Sequence, residues 1–169
     1  MADELLDPQA PAGVRRGWTH DWYPYDAYQV VHTSYMERLM DEGLVERNGL
    51  SFYESVDRSG ETVLVTIRGR LVCVNHVVIR IDKKLETRRS RANRLEVRTR
   101  FYQYHAWVRS HPGQPRRDLI RYDNSGEHSG RLHRHEFDAE GRPHEPEYIT
   151  LEQMPTLDEF IRHAMHLGN

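Results

Sequence analysis

Cysteine is nearly absent from this chain of 169 residues, which contains only Cys73. A single cysteine excludes an internal disulfide and gives no support to a cysteine-paired zinc site. Cys73 lies in the apolar segment LVCVNHVVI, where we expect a buried, unreactive thiol. No apolar stretch approaches the roughly 20 residues of a membrane helix, and the acidic start MADELLDPQAPAG lacks the form of a signal peptide. We therefore expect a soluble cytoplasmic protein.

Lysine is also scarce, because Arg outnumbers Lys 22 to 2. The net charge is only −2, but residues 1–67 carry −7, residues 68–134 carry +11 and residues 135–169 carry −6. Guanidinium groups suit bidentate contacts with phosphate, so the basic middle predicts a site for a polyanion. The alternative is that the acidic ends pair with the basic middle inside the fold.

The composition along the chain predicts a flexible tail over residues 1–17 and a single domain over residues 18–169. Within this domain, residues 18–48 form an aromatic and helical N-terminal extension, and residues 49–169 form a sheet core with a terminal helix. The extension begins with aromatic residues that we expect to pack on the domain, or to form a dimer or partner surface. These residues are Trp18, Trp22, Tyr23, Tyr25 and Tyr28.

Two helical patterns flank a region of period-two alternation. The first helix is predicted from about Asp26 to Glu42, with Gly43 as its stop. The second is predicted in MPTLDEFIRHAMHL, with Thr156 as its N-cap. The buried stripes are predicted at Val30, Val31, Tyr35, Leu39 and Met40, and at Leu157, Phe160, Ile161 and Ala164. The fold class is therefore α+β: an antiparallel sheet of about five to six strands, with N-terminal and C-terminal helices packed on one face.

A cationic and aromatic surface is predicted from the segment LEVRTRFYQYHAWVR. Strict alternation along one strand places Arg98 and Arg100 in line with Tyr102 and Tyr104 on the same face. Bases stack on tyrosine and arginine contacts phosphate, so this face suits nucleic acid. The most basic window, KKLETRRSRANR at 83–94, is predicted to be a mobile loop or an exposed strand turn. Its proposed nucleic-acid contacts are Arg88, Arg89 and Arg91.

The segment RYDNSGEHSGRLHRHEF contains three histidines within eight residues. If its end is a strand, His133 and His135 share a face while Arg134 points to the other. Together with Asp123 or His128, these two rings would give three ligands of a catalytic metal site.

Metal-free cleavage of RNA is a second interpretation, because histidine transfers protons near neutral pH and arginine stabilises the phosphorane. A third is binding without catalysis. The segment DNSG is also typical of a simple turn.

Four ordered segments, FYQYHAWV, LIRYDNSGEHSG, LHRHEF and PTLDEFIRHA, resemble the TumE-family toxins of prokaryotic toxin–antitoxin systems over about residues 60–165. In that family a Tyr-x-Tyr strand precedes an Arg-(Trp/Tyr)-Asp-Asn segment, a histidine, a His-rich stretch and a closing helix that starts with Pro-Thr. Leu132 and Arg134 stand where the family tends to have His and Lys. The matching positions are Tyr102, Tyr104, Arg121 to Asn124, His128, His133, His135 and Pro155-Thr156.

The resemblance implies growth inhibition by an action on RNA, and a cognate antitoxin. We therefore predict a toxin-like ribonuclease with a His/Tyr/Arg site, the alternatives being a non-catalytic nucleic-acid-binding or adaptor module, or a His/Asp metal-dependent hydrolase. No cofactor is expected. The alternative is a divalent metal bound by His133, His135 and Asp123. The aromatic N-terminal segment is predicted to form either a partner surface or a homodimer interface. The predicted catalytic residues are His128, His133, His135, Asp123, Tyr102 and Tyr104, and the predicted nucleic-acid contacts are Arg88, Arg89, Arg91, Arg98, Arg100, Arg121, Asn124 and Arg134.

Overall fold

The computed structural model describes residues 21–109, 113, 115–125, 130–150, 152–155 and 157–168. The predicted tail at 1–17, the aromatic residue Trp18 and the predicted N-cap Thr156 lie outside the described residues. No helix in the described part of the chain is both long and apolar enough to cross a membrane.

Two helices and nine strands make up the described fold. The chain order is β1 (Tyr23–Pro24), α1 (Tyr25–Asp41), β2 (Val45–Asn48), β3 (Ser51–Val56), β4 (Thr62–Cys73), β5 (Val77–Arg89), β6 (Leu95–Val108), β7 (Arg117–Asp123), β8 (His133–Glu136), β9 (Glu147–Tyr148) and α2 (Leu157–Gly168). The predicted α+β class with an antiparallel sheet is confirmed.

All nine strands belong to one sheet with the order β2-β4-β5-β6-β7-β8-β9, while β1 pairs with β6 and β3 pairs with β4. Every pairing is antiparallel. The predicted count of five to six strands is wrong, because β1, β2, β8 and β9 are only two to four residues long. Strands this short carry too few residues for period-two alternation to be recognised.

The β4–β5 hairpin divides the apolar segment LVCVNHVVI between two strands. Asn75 and His76 form its turn with φ values of 58° and 61°. Two successive residues with positive φ are typical of the primed turns that match strand twist, where Asn is favoured for the first position. The turn contains no glycine, so little in the sequence indicates it.

Helix α1 ends where the sequence predicted, because Gly43 follows it with a φ of 71°. In its predicted stripe Val31, Tyr35 and Leu39 are buried, whereas Val30 and Met40 are exposed. The apolar stripe is therefore narrower than predicted, and the buried face includes tyrosine and histidine side chains instead.

The main buried cluster joins one face of the sheet to residues of both helices. It includes Tyr35 and Leu39 of α1, and Phe160 of α2, whose ring lies 5.6 Å from that of Tyr104 and 5.7 Å from that of Tyr122. We call this side of the sheet the helix face. Its buried members on the central strands are Ile79, Ile81, Lys83, Leu85, Val97, Thr99, Tyr102, Tyr104, Ala106, Ile120 and Tyr122.

Candidate functional site

The opposite side of the sheet, which we call the charged face, carries one residue from each of five adjacent strands in a single cross-strand row. Residues that pair directly across antiparallel strands lie on the same face, with Cβ atoms about 5 Å apart. We call this row the cationic row. Its members, in sheet order from β4 to β8, are Arg70, Arg80, His105, Arg121 and His135.

A second row beside it contains the most deeply buried charges of this face. Asp123 pairs with His133 across β7 and β8, and both side chains are fully buried. Asp123 forms ion pairs with Arg121 (Nε to Oδ2, 2.7 Å) and with His133 (Nε2 to Oδ1, 3.2 Å). It also accepts hydrogen bonds from the backbone N–H and the hydroxyl of Ser125. Asp123 therefore fixes the positions of Arg121, His133 and the following turn together.

The electrostatics of Asp123 favour its ionised form. Burial opposes ionisation, but the Ser125 hydrogen bonds and the charges of Arg121 and His133 outweigh it, so the pKa of Asp123 lies below its usual value. Asp123 was predicted to orient an imidazole. In the structure it contacts both the His133 ring and the Arg121 guanidinium.

The prediction that His133 and His135 share a face is confirmed. Both lie on strand β8 and are buried, with ring centroids 5.1 Å apart and planes nearly perpendicular. His133 Nδ1 lies 2.8 Å from the carbonyl of Arg131, and His135 Nδ1 lies 3.4 Å from the carbonyl of His144. The carbonyl contacts and Asp123 hold both rings in defined orientations.

Arg134 pairs with Tyr122, which is buried on the helix face, so it lies on the side opposite the histidines, as predicted. Its guanidinium forms an ion pair with Glu147 (Nη2 to Oε2, 2.6 Å). Arg134 and His135 therefore face opposite sides of the sheet.

A third histidine, His105, belongs to the site although it was not among the predicted site residues. It pairs with Arg121 in the cationic row, and its Nε2 lies 3.0 Å from Asp118 Oδ1. Asp118 also contacts Arg116 Nε at 3.2 Å.

The His105 contact depends on an irregularity in the β6–β7 pairing. Ala106 pairs with Ile120 and Trp107 with Asp118, so Leu119 has no partner on β6. Leu119 and Ile120 are both buried on the helix face, so Asp118 and Arg121 both reach the charged face. Strict alternation would separate them, which is why sequence reasoning missed Asp118.

Both histidines of the cationic row are shifted toward their neutral forms. Burial lowers the pKa of His105, Asp118 opposes this, and Arg116 and Arg121 add to the lowering. Burial likewise lowers the pKa of His135, against the raising effect of the His144 carbonyl. At neutral pH the row therefore presents imidazole rings on both sides of the Arg121 guanidinium, which is 29% exposed.

Asn124 has a structural role in the sheet. Its side-chain oxygen accepts a hydrogen bond from the Tyr102 backbone N–H at 3.1 Å, and its side-chain NH₂ donates to the Arg100 carbonyl at 2.9 Å. The amide thus extends the pairing of β6 beyond the end of β7. One of the two N–H donors of the Asn124 amide is therefore used within the sheet.

The prediction that Tyr102 and Tyr104 share a face with Arg98 and Arg100 is wrong. The β5–β6 register shifts between Lys84 and Leu85, so that Lys84 pairs with Phe101 and Leu85 with Thr99. Arg100 is the extra residue of a β-bulge, and a bulge reverses which face the following residues occupy. Tyr102 and Tyr104 are buried on the helix face, on the other side of the sheet from the histidines.

The other predicted arginine contacts lie at the far end of β5 and β6, where each described pairing is with an acidic residue. Arg88 pairs with Glu96 at 2.7 Å and Arg89 with Glu61 at 2.8 Å. Arg98 and Arg100 both contact Glu86. Arg91 is exposed in the β5–β6 turn. The predicted basic loop is thus mostly strand, and its charge is partly compensated inside the fold.

Two further predictions concern His128 and a metal. His128 lies outside the described residues. Within the residues that the structure describes, no group of three or more His, Cys, Asp or Glu side chains could hold a metal ion, and this applies to His133, His135 and Asp123. His133 directs Nε2 at Asp123 and Nδ1 at a carbonyl, so its ring nitrogens face protein oxygens.

Comparison with known proteins gives one match. The family model described as Toxin TumE matches residues 36–166, from within α1 to within α2. No curated protein and no solved structure matches the chain. The match includes β2 to β9 and therefore the whole cationic row. Membership in a toxin family implies a cognate antitoxin as partner, and the resemblance noted in the sequence is confirmed: the chain belongs to the TumE toxin family.

Proposed function

We propose that this toxin cleaves RNA through the RNA's own 2′-hydroxyl group, at the segment of the cationic row formed by His105, Arg121 and His135. One observation carries the proposal: a guanidinium lies between two imidazoles on three adjacent strands. A contact between Nε2 of His105 and Asp118 orients one ring, and the second is held beside the buried group of Asp123 and His133.

The reaction needs a base, an acid and a cation on different sides of one phosphate. The 2′-oxygen attacks phosphorus while the base takes its proton. The bond from phosphorus to the 5′-oxygen breaks, and the acid gives that oxygen a proton. The products are a 2′,3′-cyclic phosphate and a free 5′-hydroxyl. An arginine beside the phosphate stabilises the charge that develops on its oxygens.

His105 is assigned as the base. When its Nε2–H donates to Asp118, the remaining Nδ1 lone pair is the proton acceptor. His135 is assigned as the acid, two strands away across Arg121, which corresponds to about 10 Å between strand backbones. In this proposal the phosphate bound by Arg121 lies between the two rings, the arrangement that in-line displacement requires.

Asp123 and His133 act as positioning residues in this proposal. Asp123 holds the Arg121 guanidinium, and His133 packs against the His135 ring. The cognate antitoxin that the family implies would then protect the cell by blocking this face of the sheet or by preventing RNA from reaching it.

The proposal is tested with the purified full-length chain and 5′-labelled RNA, with and without chelator. His105→Ala and His135→Ala should each lower the cleavage rate by about 10²–10⁴-fold. His166→Ala is the matched control, because His166 is exposed on α2. Cleavage that persists unchanged in both row variants would overturn the site. Salt-sensitive binding without any cleavage would favour the non-catalytic module, and loss of cleavage with chelator would favour the metal-dependent hydrolase.

The pH–rate profile gives a second readout of the same proposal. Both row histidines have a pKa below the ordinary value of 6.5. The base must be neutral while the acid is protonated, so the rate should pass through a maximum below pH 6.5 and fall on both sides. A rate that rises steadily from pH 6 to pH 9 would contradict the assignment of two histidines.

A further inference from the structure

Two arginines of the cationic row have no part in the chemistry proposed above. Arg70 and Arg80 continue the row from His105 onto β5 and β4. Both are exposed, with the Arg80 side chain at 55%. The Arg70 guanidinium lies 5.7 Å from the centroid of the Trp107 ring, and Arg80 lies 3.9 Å from Asp82, at the edge of ion-pair range.

We propose that the cationic row is the track of a single-stranded RNA that crosses the strands at right angles. Arg80 and Arg70 then bind the phosphates that follow one another away from the phosphate at Arg121. The assignment of the cleaved phosphate to Arg121 rests on the proposed function. Binding of RNA along the row does not require cleavage.

The dimensions of the row suit several nucleotides. Five strands are separated by four steps of about 4.8 Å, so the row is about 19 Å long. A site for one nucleotide would need only the middle of it. The guanidiniums of Arg70 and Arg80 extend the positive charge to the β4 side, and they supply the bidentate donors that phosphate recognition favours.

The flanks of the row argue for a single strand rather than a duplex. On β5, β6 and β7 the row on one side consists of Asp82, Gln103 and Asp123, and the row on the other side consists of Val78, Trp107 and Asp118. On these three strands the row therefore has two carboxylates on one side and one carboxylate, Asp118, on the other, while Arg68 continues the first flanking row on β4. A duplex presents two phosphate backbones, and its second backbone would meet acidic or apolar side chains on these strands.

Binding is measured by fluorescence anisotropy with a ten-nucleotide 2′-O-methyl RNA, which lacks the attacking hydroxyl and stays intact. The variant Arg70→Gln/Arg80→Gln should weaken binding and lower the slope of log K against log salt by about 1.4, since each phosphate contact on a single strand contributes about 0.7. Arg58→Gln/Arg162→Gln is the control. Arg58 is exposed in the β3–β4 turn and Arg162 is exposed on α2.

The track is rejected if the Arg70→Gln/Arg80→Gln variant has the same salt slope as the wild type. It is also rejected if the control variant loses as much affinity and slope, or if an RNA duplex binds as tightly as the single strand. Arg70→Lys/Arg80→Lys keeps the charge and should retain the slope. If it does not, the Gln variant reports altered structure and the track is also rejected.

Cleavage separates this inference from the proposed function. With a dinucleotide, the Arg70/Arg80 variant should match the wild type, while with a ten-nucleotide RNA it should lose several-fold in kcat/KM. If the wild type is active and the variant cleaves both the dinucleotide and the ten-nucleotide RNA as fast as the wild type, the track is rejected. The proposed cleavage site is then unaffected. A wild type that cuts neither RNA but shows the expected salt slope rejects the proposed function and supports the track.

Discussion

The helix face and the charged face of one sheet are both buried in part, but by different means. The helix face is closed by apolar and aromatic packing around Phe160 and Tyr104. On the charged face, Asp123 and His133 are equally inaccessible, yet they are held by ion pairs and hydrogen bonds. The helix face should therefore respond to changes of volume, and the charged face to changes of charge.

Two phenylalanines sharpen this comparison with the largest effect. Phe160→Ala removes a fully buried ring from the helix face and should cost about 3–5 kcal/mol of unfolding free energy. Phe101→Ala, on the charged face beside Lys84, should cost clearly less because Phe101 is only partly buried. Urea unfolding of both variants provides the measurement. Equal losses would show that the two faces pack alike.

Asp123→Asn changes charge on the charged face while conserving volume. The substitution leaves the Arg121 guanidinium and the His133 ring without their carboxylate. We expect the unfolding free energy to fall by about 3 kcal/mol. This is the lower end of the range for breaking a buried ion pair, because Arg121 is partly exposed.

The pH dependence of the same variant gives an independent check. The pKa of Asp123 is lowered, so its contribution is present above the usual carboxyl range and disappears only as pH falls through the lower folded value. Wild-type stability should fall more steeply than that of Asp123→Asn in acid. If the stabilities of the two proteins fall in parallel with pH, the acid-dependent stabilisation does not come from Asp123.

The sequence predicts the elements of this fold better than it predicts the faces of its strands. The helices around Tyr35 and Phe160, and the shared side of His133 and His135, follow from periods that hold over the segment concerned. Tyr102 and Tyr104 were misplaced because one extra residue, Arg100, reverses the alternation between them and Arg98. A bulge of this kind depends on tertiary pairing and has no signature in a single strand.

The same limit applies to the candidate site. His135, Asp123 and Arg121 were recognised because they lie close together in the sequence. His105 was not among the predicted site residues, since its partner Asp118 reaches the charged face only through the irregularity at Leu119. The cationic row was not predicted at all, because it joins five strands whose register is fixed by the whole sheet.

The two lysines of the chain, Lys83 and Lys84, are adjacent and lie on opposite faces. Lys83 is fully buried on the helix face, near the Tyr104 ring and His32, and burial lowers its pKa to about 7. Lys84 is exposed on the charged face. In the unfolded chain Lys83 has an ordinary lysine pKa near 10.4.

Between pH 7 and pH 9 the unfolded state therefore binds a proton at Lys83 that the folded state does not. Wild-type stability should rise with pH there, by up to about 1.4 kcal/mol per pH unit. Lys83→Met should remove this rise, and Lys84→Met should keep it. If both variants retain the wild-type slope, Lys83 is not the group responsible.

The smallest effect is expected where the N-terminal segment meets the charged face. Two guanidiniums contact the Trp22 ring, with Arg88 4.4 Å and Arg98 4.7 Å from its centroid. Each contact of this exposed kind is worth about 0.5–1 kcal/mol, so Trp22→Ala should lower stability by about 1 kcal/mol from these contacts.

A double-mutant cycle between Trp22→Ala and Arg88→Gln isolates the contact itself. The coupling should be about 0.5–1 kcal/mol. It must also be separated from the Arg88–Glu96 ion pair, which Glu96→Gln removes while leaving the ring in place. A coupling that survives in the Glu96→Gln background belongs to the aromatic contact. A coupling that vanishes there would mean that Trp22 only orients an ion pair, and that the charged face is held by charge alone at this end as well.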